Sequence, residues 1–166
     1  MDSSTLKEII GLKKPRYKIE YKKLVESISN KGDATGKGDF SSFGAFYQTF
    51  MYAFIIGYKL NKCIPFSKGE QTTDFAPISV WSPSGLREYV IMILLNESEK
   101  WNVSFKWIEL EDANEETVNN FVTELIRCME GYANAGYEYL QNKFDNENYE
   151  FQDSFVFVNI LEEISK

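Results

Sequence analysis

An almost uninterrupted apolar segment, FGAFYQTFMYAFIIGYKL, extends from Phe43 to Leu60 and restricts the fold of this chain more than any other feature. Its phenylalanines recur at helical spacing on one face, at positions 43, 46, 50 and 54. Further apolar residues widen this face until the helix is apolar nearly all round, which indicates burial on several sides. Because Gln48 and Thr49 lie near its middle, we expect a central core helix rather than a membrane span.

This first long helix is predicted to extend over about residues 42–61. Three polar residues before it are candidate N-terminal caps: Asp39, Ser41 and Ser42. Its end is well marked, because Asn61 tolerates the left-handed conformation and Pro65 cannot continue a helix.

A second long helix is predicted over about residues 114–143, where apolar residues keep helical spacing. In its middle lies a patch of small residues that another backbone could approach closely: Gly131, Ala133, Ala135 and Gly136. Glycine inside a helix costs about 1 kcal/mol relative to alanine, so close packing should compensate, with Gly57 as the candidate partner. Asn134 in this patch is either exposed or hydrogen-bonded. We therefore expect a helix-packing or interface motif made by Gly57, Tyr58, Tyr132, Asn134, Gly136 and Tyr137.

Shorter runs of alternating or apolar residues predict a few short strands around the two helices. The expected strands lie at residues 16–21, 64–67, 78–82 and 101–107, with polar turns at 68–74 and 83–85. Some runs stay ambiguous between helix and strand: residues 86–96 favour a helix, residues 21–28 could begin one, and residues 154–164 mix both patterns. The predicted fold class is therefore α+β and mainly helical.

The chain is expected to form a single globular domain over residues 16–166, preceded by a flexible arm at residues 1–15. Within this arm, residues 5–10 could form a short helix, which Pro15 prevents from continuing. The clearest predicted loop is NKGDATGKGD at residues 30–39. Its glycine and lysine spacing does not match a phosphate-binding loop, and its aspartates do not match a calcium loop.

Charge is distributed unevenly along the chain. The net charge is −7, yet residues 13–23 carry six cations and only one anion. A broad cationic face is needed to neutralise nucleic-acid phosphates, so an acidic chain with one basic segment is a poor general nucleic-acid binder. Two alternatives stay open: a solvated basic segment, or a local nucleic-acid contact through Lys13, Lys14, Arg16, Lys18, Lys22 and Lys23.

The chain contains no histidine, which excludes His-based triads, imidazole general bases and His-ligated metals. Cys63 and Cys128 cannot complete a four-ligand zinc site by themselves, and residues 1–10 do not resemble a signal peptide. We therefore expect reduced, buried or half-buried cysteines in a cytoplasmic protein. The carboxylates at residues 109–112 are typical of solvated charge and a helix cap. No catalytic residue, metal or cofactor is expected.

Two segments together resemble a known family. Residues 43–66 resemble one of its motifs at Ala53, Gly57, Lys59, Lys62, Pro65 and Phe66. Residues 130–140, EGYANAGYEYL, resemble E-x-Y-A-N-G-G-x-E-x-L, with Ala135 where the pattern has glycine. These motifs are similar to those of the Dnd system-associated proteins, small accessory proteins found with bacterial DNA phosphorothioation and related phage-defence clusters.

The resemblance implies a non-enzymatic cytoplasmic accessory or adaptor protein that acts by contacts with other proteins of the same system. It implies no catalytic residues. The alternative is a small dimeric DNA-binding regulator that uses the basic segment 13–23 and pairs the strand at residues 16–21 with its twin. A homodimer stays open, DNA is not the favoured partner, and no membrane association is expected. An enzyme that uses carboxylates or tyrosine is a third class, which a deep polar pocket would favour.

Overall fold

Helix α5 (Glu115–Glu147) is the longest element of the computed structural model, and about half of the other elements pack against it. The structure describes residues 3–30, 40–101 and 106–166. In these ranges the helices are α1 (Ser3–Gly11), α2 (Lys22–Ile28), α3 (Phe46–Lys59), α4 (Ser84–Glu97), α5 and α6 (Val156–Ile164), and the strands are β1 (Arg16–Lys18) and β2 (Thr72–Asp74). Short 3-10 helices span Ile19–Tyr21, Ile78–Val80, Ser98–Lys100, Trp107–Asp112 and Asn148–Gln152. The predicted fold class, mainly helical α+β, is confirmed.

Helix α5 begins where the sequence predicts and ends four residues later. The Asn114 side chain accepts a hydrogen bond from the Thr117 amide at 2.8 Å and caps the first turn. Two side-chain pairs at i,i+4 spacing extend the last turns: Gln141 donates to Asp145 at 2.8 Å, and Lys143 donates to Glu147 at 2.9 Å. These pairs support helix beyond residue 143, although few apolar residues remain there.

Helix α3 begins at Phe46, four residues after the predicted start. The preceding residues are extended and pair with the end of α2, because the Phe43 amide donates to the Ile28 carbonyl at 2.7 Å. Gly44 has a φ of +154°, which favours glycine. Gln48 then accepts a hydrogen bond from the Ala45 amide at 2.9 Å. The cap is therefore a side chain inside the helix rather than one of the predicted residues; of these, Asp39 lies outside the described residues.

The interior position of α3 follows the prediction. Phe50, Met51 and Phe54 are fully buried, and the most extensive contact of the helix is with α5. Asn61 adopts the predicted left-handed conformation after the helix, with a φ of +51°. None of the helices within residues 3–30, 40–101 and 106–166 is long and apolar enough to cross a membrane.

Two of the strand predictions are wrong, and the observed sheet uses a segment predicted as a turn. β1 pairs antiparallel with β2, which lies inside the predicted turn 68–74; Tyr17 is opposite Thr73. Residues 64–67 form no strand, because the Ile64 amide donates to the Gly131 carbonyl of α5 at 2.9 Å. The 3-10 helix at 78–80 occupies the other predicted strand. Its first amide donates to the Lys13 carbonyl at 3.0 Å, so this segment also forms no strand ladder.

The strand predicted at residues 16–21 is shorter than expected. Its residues from Ile19 onward turn into a 3-10 helix that leads to α2, so Ile19 is exposed whereas Tyr17 and Tyr21 are buried. The helix that residues 21–28 could begin is observed as α2.

The remaining ambiguous segments are helices. Residues 86–96 lie in α4, which begins inside the predicted turn 83–85, and the mixed segment 154–164 contains α6. The predicted strand 101–107 lies mostly outside the described residues, and its last residue opens the 3-10 helix Trp107–Asp112. The loop predicted at 30–39 also lies outside them, except for its first residue.

The expected helix near the N-terminus is observed as α1, which packs against the 3-10 helix at 78–80 and against α5. Ile10 at the end of α1 is buried. The flexibility of residues 1–15 and the single-domain boundary at residue 16 stay predictions.

Candidate functional site

Helices α3 and α5 meet at two glycines, one on each helix. A methyl group on Gly57 would overlap the carbonyl oxygen of Tyr132, and a methyl group on Gly136 would overlap the carbonyl oxygen of Ala53. The two backbones therefore touch at both points, which only glycine permits. We name this pair of contacts the glycine contact. It leaves no space between the helices where a ligand could bind.

The tyrosines of the predicted interface motif surround the glycine contact. The rings of Tyr58 and Tyr132 pack edge to face, with centroids 5.7 Å apart, and Tyr132 also packs edge to face on Phe54. Tyr137 is fully buried and stacks on Tyr21, with centroids 5.7 Å apart. Burial raises the pKa of Tyr132 to about 12 and that of Tyr137 well above its ordinary value. These phenols are therefore neutral and act as packing groups.

Asn134 lies on a different face of α5 and is also buried, with 3% of its surface exposed. Its amide donates a hydrogen bond to the Ile64 carbonyl at 2.8 Å, while its Oδ1 has no partner among the described residues. The Ile64 amide in turn donates to the Gly131 carbonyl, and a methyl group on Gly131 would lie 2.5 Å from the Cys63 sulfur. Asn134 and Gly131 thus hold the segment after α3 against α5.

One turn before Asn134, the buried carboxylate of Glu130 binds the start of β1. The Arg16 side chain donates to both carboxylate oxygens, from Nε at 3.0 Å and from a terminal nitrogen at 3.1 Å, and the Arg16 amide donates at 2.9 Å. The hydrogen bond to Glu130 raises the pKa of Arg16. The guanidinium also lies over the Phe66 ring, 5.3 Å from its centroid. The plane of the Arg16 guanidinium is therefore held by Glu130 along one edge and by the Phe66 ring on one face.

A surface groove of about 500 Å³ lies beside this ion pair. Its cationic side chains are Lys13, Lys14, Arg16 and Arg127, and its apolar wall includes Pro65, Phe66 and Ile126. Arg127 also donates to Glu124, with Nε at 2.9 Å from the carboxylate, and this contact lowers the pKa of Glu124. We name this region, formed by Lys13, Lys14, Arg16, Phe66, Arg127 and Glu130, the cationic groove.

The structure brings together only half of the cations predicted as a nucleic-acid contact. Lys13, Lys14 and Arg16 line the cationic groove. Lys18 instead pairs with Glu20 at 3.3 Å and with Glu70 at 3.5 Å. The other two predicted cations, Lys22 and Lys23, are exposed on α2 and do not line the groove.

Arg127 was not among the predicted site residues. A signal for it exists in the sequence, because Thr123, Arg127 and Glu130 recur on one face of α5 at spacings of four and three residues. The same spacing of polar residues is equally typical of a solvated helix face. Only the position of β1 in the structure shows that this face of α5 contacts the basic segment.

The two cysteines lie close together, since the Cys63 sulfur is 4.0 Å from the Cys128 carbonyl oxygen. Cys63 is exposed, contrary to the expected burial, whereas Cys128 is buried and burial raises its pKa to about 12. Both thiols are free. Within the part of the chain that the structure describes, no three cysteine, aspartate or glutamate side chains are close enough to hold a metal ion.

Comparison with known proteins gives one family. The model of the family described as DNA sulphur modification system-associated protein 4 matches residues 16–163, which confirms the family resemblance. No curated protein and no solved structure matches the chain.

Proposed function

Since this chain belongs to the family of DNA sulphur modification system-associated protein 4, we propose that it is a non-enzymatic cytoplasmic accessory protein of a DNA phosphorothioation and phage-defence system. It acts by contacts with other proteins of that system. The family match over residues 16–163 carries the association with the system. The glycine contact supports a scaffold role for α3 and α5, because the touching backbones leave no cleft between these two helices for convergent polar groups.

The proposed contact surface lies at the C-terminal end of the chain. Phe155 and Val158 occupy adjacent positions at the start of α6, and 66% and 52% of their surfaces are exposed. Residues 145–163 also carry six carboxylates, of which Glu147, Glu150 and Glu163 pair with Lys143. Exposed apolar side chains in an acidic segment of the chain fit a basic surface with an apolar centre on a partner protein.

The proposal is tested by co-purification from a host that carries the modification system. The tagged wild-type chain is expected to elute with a protein encoded in the same system. Phe155→Asp/Val158→Asp should abolish this co-elution, since two charges at an apolar interface centre cannot be desolvated. Ile108→Asp is the matched control, because Ile108 is 68% exposed outside this surface and its substitution should leave co-elution intact.

Two outcomes would contradict the proposal. If the wild-type chain elutes alone from the complete system, the adaptor role fails. If both variants co-elute equally well with the partner, the contact surface lies elsewhere on the protein. Circular dichroism of the variants shows whether the substitutions leave the fold intact.

The alternative of a dimeric DNA-binding regulator would require an extended cationic face along residues 13–23. The separation of Lys18, Lys22 and Lys23 from the cationic groove argues against such a face. The pairing of β1 with β2 of the same chain also uses one edge of the strand expected to pair with a twin.

A further inference from the structure

The cationic groove has the composition of an anion site that the scaffold role does not use. It is lined by four cationic side chains, in a protein whose net charge is −7. Two carboxylates lie beside these cations: Glu130 is bonded to Arg16, and Glu124 is bonded to Arg127. Lys13 and Lys14 have no ion-pair partner among the described residues, so the groove keeps an excess of positive charge.

The geometry points to a nucleotide as the ligand of the cationic groove, and we propose that it binds one nucleotide unit through its phosphate and its base. Lys13, Lys14 and the free N–H groups of Arg127 bind the phosphate. Arg127 has five N–H donors and uses two of them on Glu124, so donors remain for a phosphate oxygen.

The base is assigned to the other end of the groove by the fixed plane of Arg16. Glu130 holds one edge of its guanidinium and the Phe66 ring lies against it, yet 52% of the Arg16 side chain is exposed. Guanidinium planes and aromatic rings are the surfaces on which nucleic-acid bases stack. Because Arg16 is already immobilised, stacking a base on it requires little further ordering.

The size of the groove favours one nucleotide over a long duplex. A volume of about 500 Å³ is within the usual range for small-molecule sites. Lys18, the next cation along the chain after Arg16, does not line the groove, because it is paired with Glu20 and Glu70. A duplex needs a broad cationic face, and the described residues provide such a cluster of cations only at the groove itself. The nucleotide is therefore either free or one unit of a single strand.

Isothermal titration calorimetry on the full chain tests this inference with three probes: deoxyadenosine 5′-monophosphate, inorganic phosphate and a short oligodeoxyadenylate. The mononucleotide is expected to bind more tightly than inorganic phosphate. Lys13→Ala/Lys14→Ala should weaken its binding by about tenfold or more, since two charge-assisted contacts are lost. Phe66→Ala should weaken mononucleotide binding and leave phosphate binding unchanged.

Lys22→Ala/Lys23→Ala is the matched control, because it removes the same charge from an exposed surface outside the groove. This variant should bind the mononucleotide like the wild type. A tighter oligodeoxyadenylate complex that Lys13→Ala/Lys14→Ala weakens identifies a strand as the source of the nucleotide, whereas equal affinities identify a free nucleotide.

Three results would overturn the inference: no binding of any probe, equal losses in the two double-lysine variants, or phosphate binding as tight as mononucleotide binding. The inference does not depend on the proposed function, because the residues Phe155 and Val158 of the co-purification experiment lie outside the cationic groove.

Discussion

The glycine contact and the cationic groove are both built on α5, yet they hold their neighbours in opposite ways. At the glycine contact, the backbones of α3 and α5 touch without any side chain between them. At the cationic groove, a long side chain of α5, Glu130, reaches the backbone and side chain of Arg16 through three hydrogen bonds.

The two regions therefore tolerate different substitutions. A close backbone contact has no flexible atom that can move aside, so one added methyl group must separate two helices. A contact through long polar side chains can adjust its geometry, but it fails when one charge loses its partner. Sterics therefore limit the first region, and electrostatics limits the second.

The largest effect is expected from breaking the glycine contact. Gly136→Ala should lower the free energy of unfolding by about 3 kcal/mol, because the new methyl group overlaps the Ala53 carbonyl oxygen. Urea unfolding followed by circular dichroism measures the loss. Gly85→Ala is the matched control in α4, where a methyl group would meet no atom within 4 Å, and it should be neutral or stabilising by up to about 1 kcal/mol. Equal losses in the two variants would refute the close contact.

Removing the guanidinium from the cationic groove should have the next largest effect. Arg16→Ala removes two of the three hydrogen bonds to the buried Glu130 carboxylate and leaves only the one from the backbone amide of residue 16. This change should lower the free energy of unfolding by about 2–3 kcal/mol. Glu130→Gln in the same chain should recover part of this loss, since the uncompensated charge disappears. Arg127→Ala is the control and should cost about 0.5 kcal/mol, because its pair with Glu124 is more exposed. If Arg16→Ala lowers the free energy of unfolding as little as Arg127→Ala does, the buried ion pair is contradicted.

Asn134 differs from both regions, because it combines a polar contact with nearly complete burial. Asn134→Ala should cost about 1 kcal/mol, since it loses the hydrogen bond to Ile64 but also removes a buried oxygen without a partner among the described residues. Asn134→Asp should cost more at neutral pH, because a carboxylate would face the Ile64 carbonyl. Its deficit should shrink on acidification, as measured by urea unfolding at two pH values. An aspartate variant as stable as the alanine variant would show that the site is hydrated.

The smallest effect at neutral pH concerns the tyrosines, and it appears only in alkali. Burial raises the pKa values of Tyr21 and Tyr132 from 10.0 to about 12. Folding therefore favours the neutral phenol: this stability is complete below pH 10 and is lost as the pH rises through 12. Tyrosinate absorbance and circular dichroism should change together in that interval. Full ionisation near pH 10 with the fold intact would contradict the burial of these rings.

The sequence indicates where α3 and α5 can approach closely, but no pattern in it indicates the cationic groove. The helical periods of α3 and α5 specify which faces are apolar, and unusual glycines inside those faces mark where two backbones approach. The groove depends on a contact between residues 114 positions apart, Arg16 and Glu130. Local pattern carries no information about which surface stripe of α5 meets β1.

The errors in the short elements have a similar cause. The TTD sequence of β2 is polar and reads as a turn, yet it pairs with β1 because the fold brings the two segments together. Residues 64–67 look like a strand, but α5 uses the Ile64 amide and carbonyl. Helix α3 begins later than predicted because the extended Phe43 backbone hydrogen-bonds to Ile28 at the end of α2. No capping pattern in the sequence predicts this contact.

The 114-residue separation within the ion pair also bears on how the protein is made. During translation Arg16 is synthesised long before Glu130. Strand β1 therefore lacks its ion-pair partner while most of the chain is being made. The Glu130 carboxylate is desolvated only when β1 packs against α5. We therefore expect nascent chains that stop before α5 to leave Tyr17 uncovered and to be retained by chaperones.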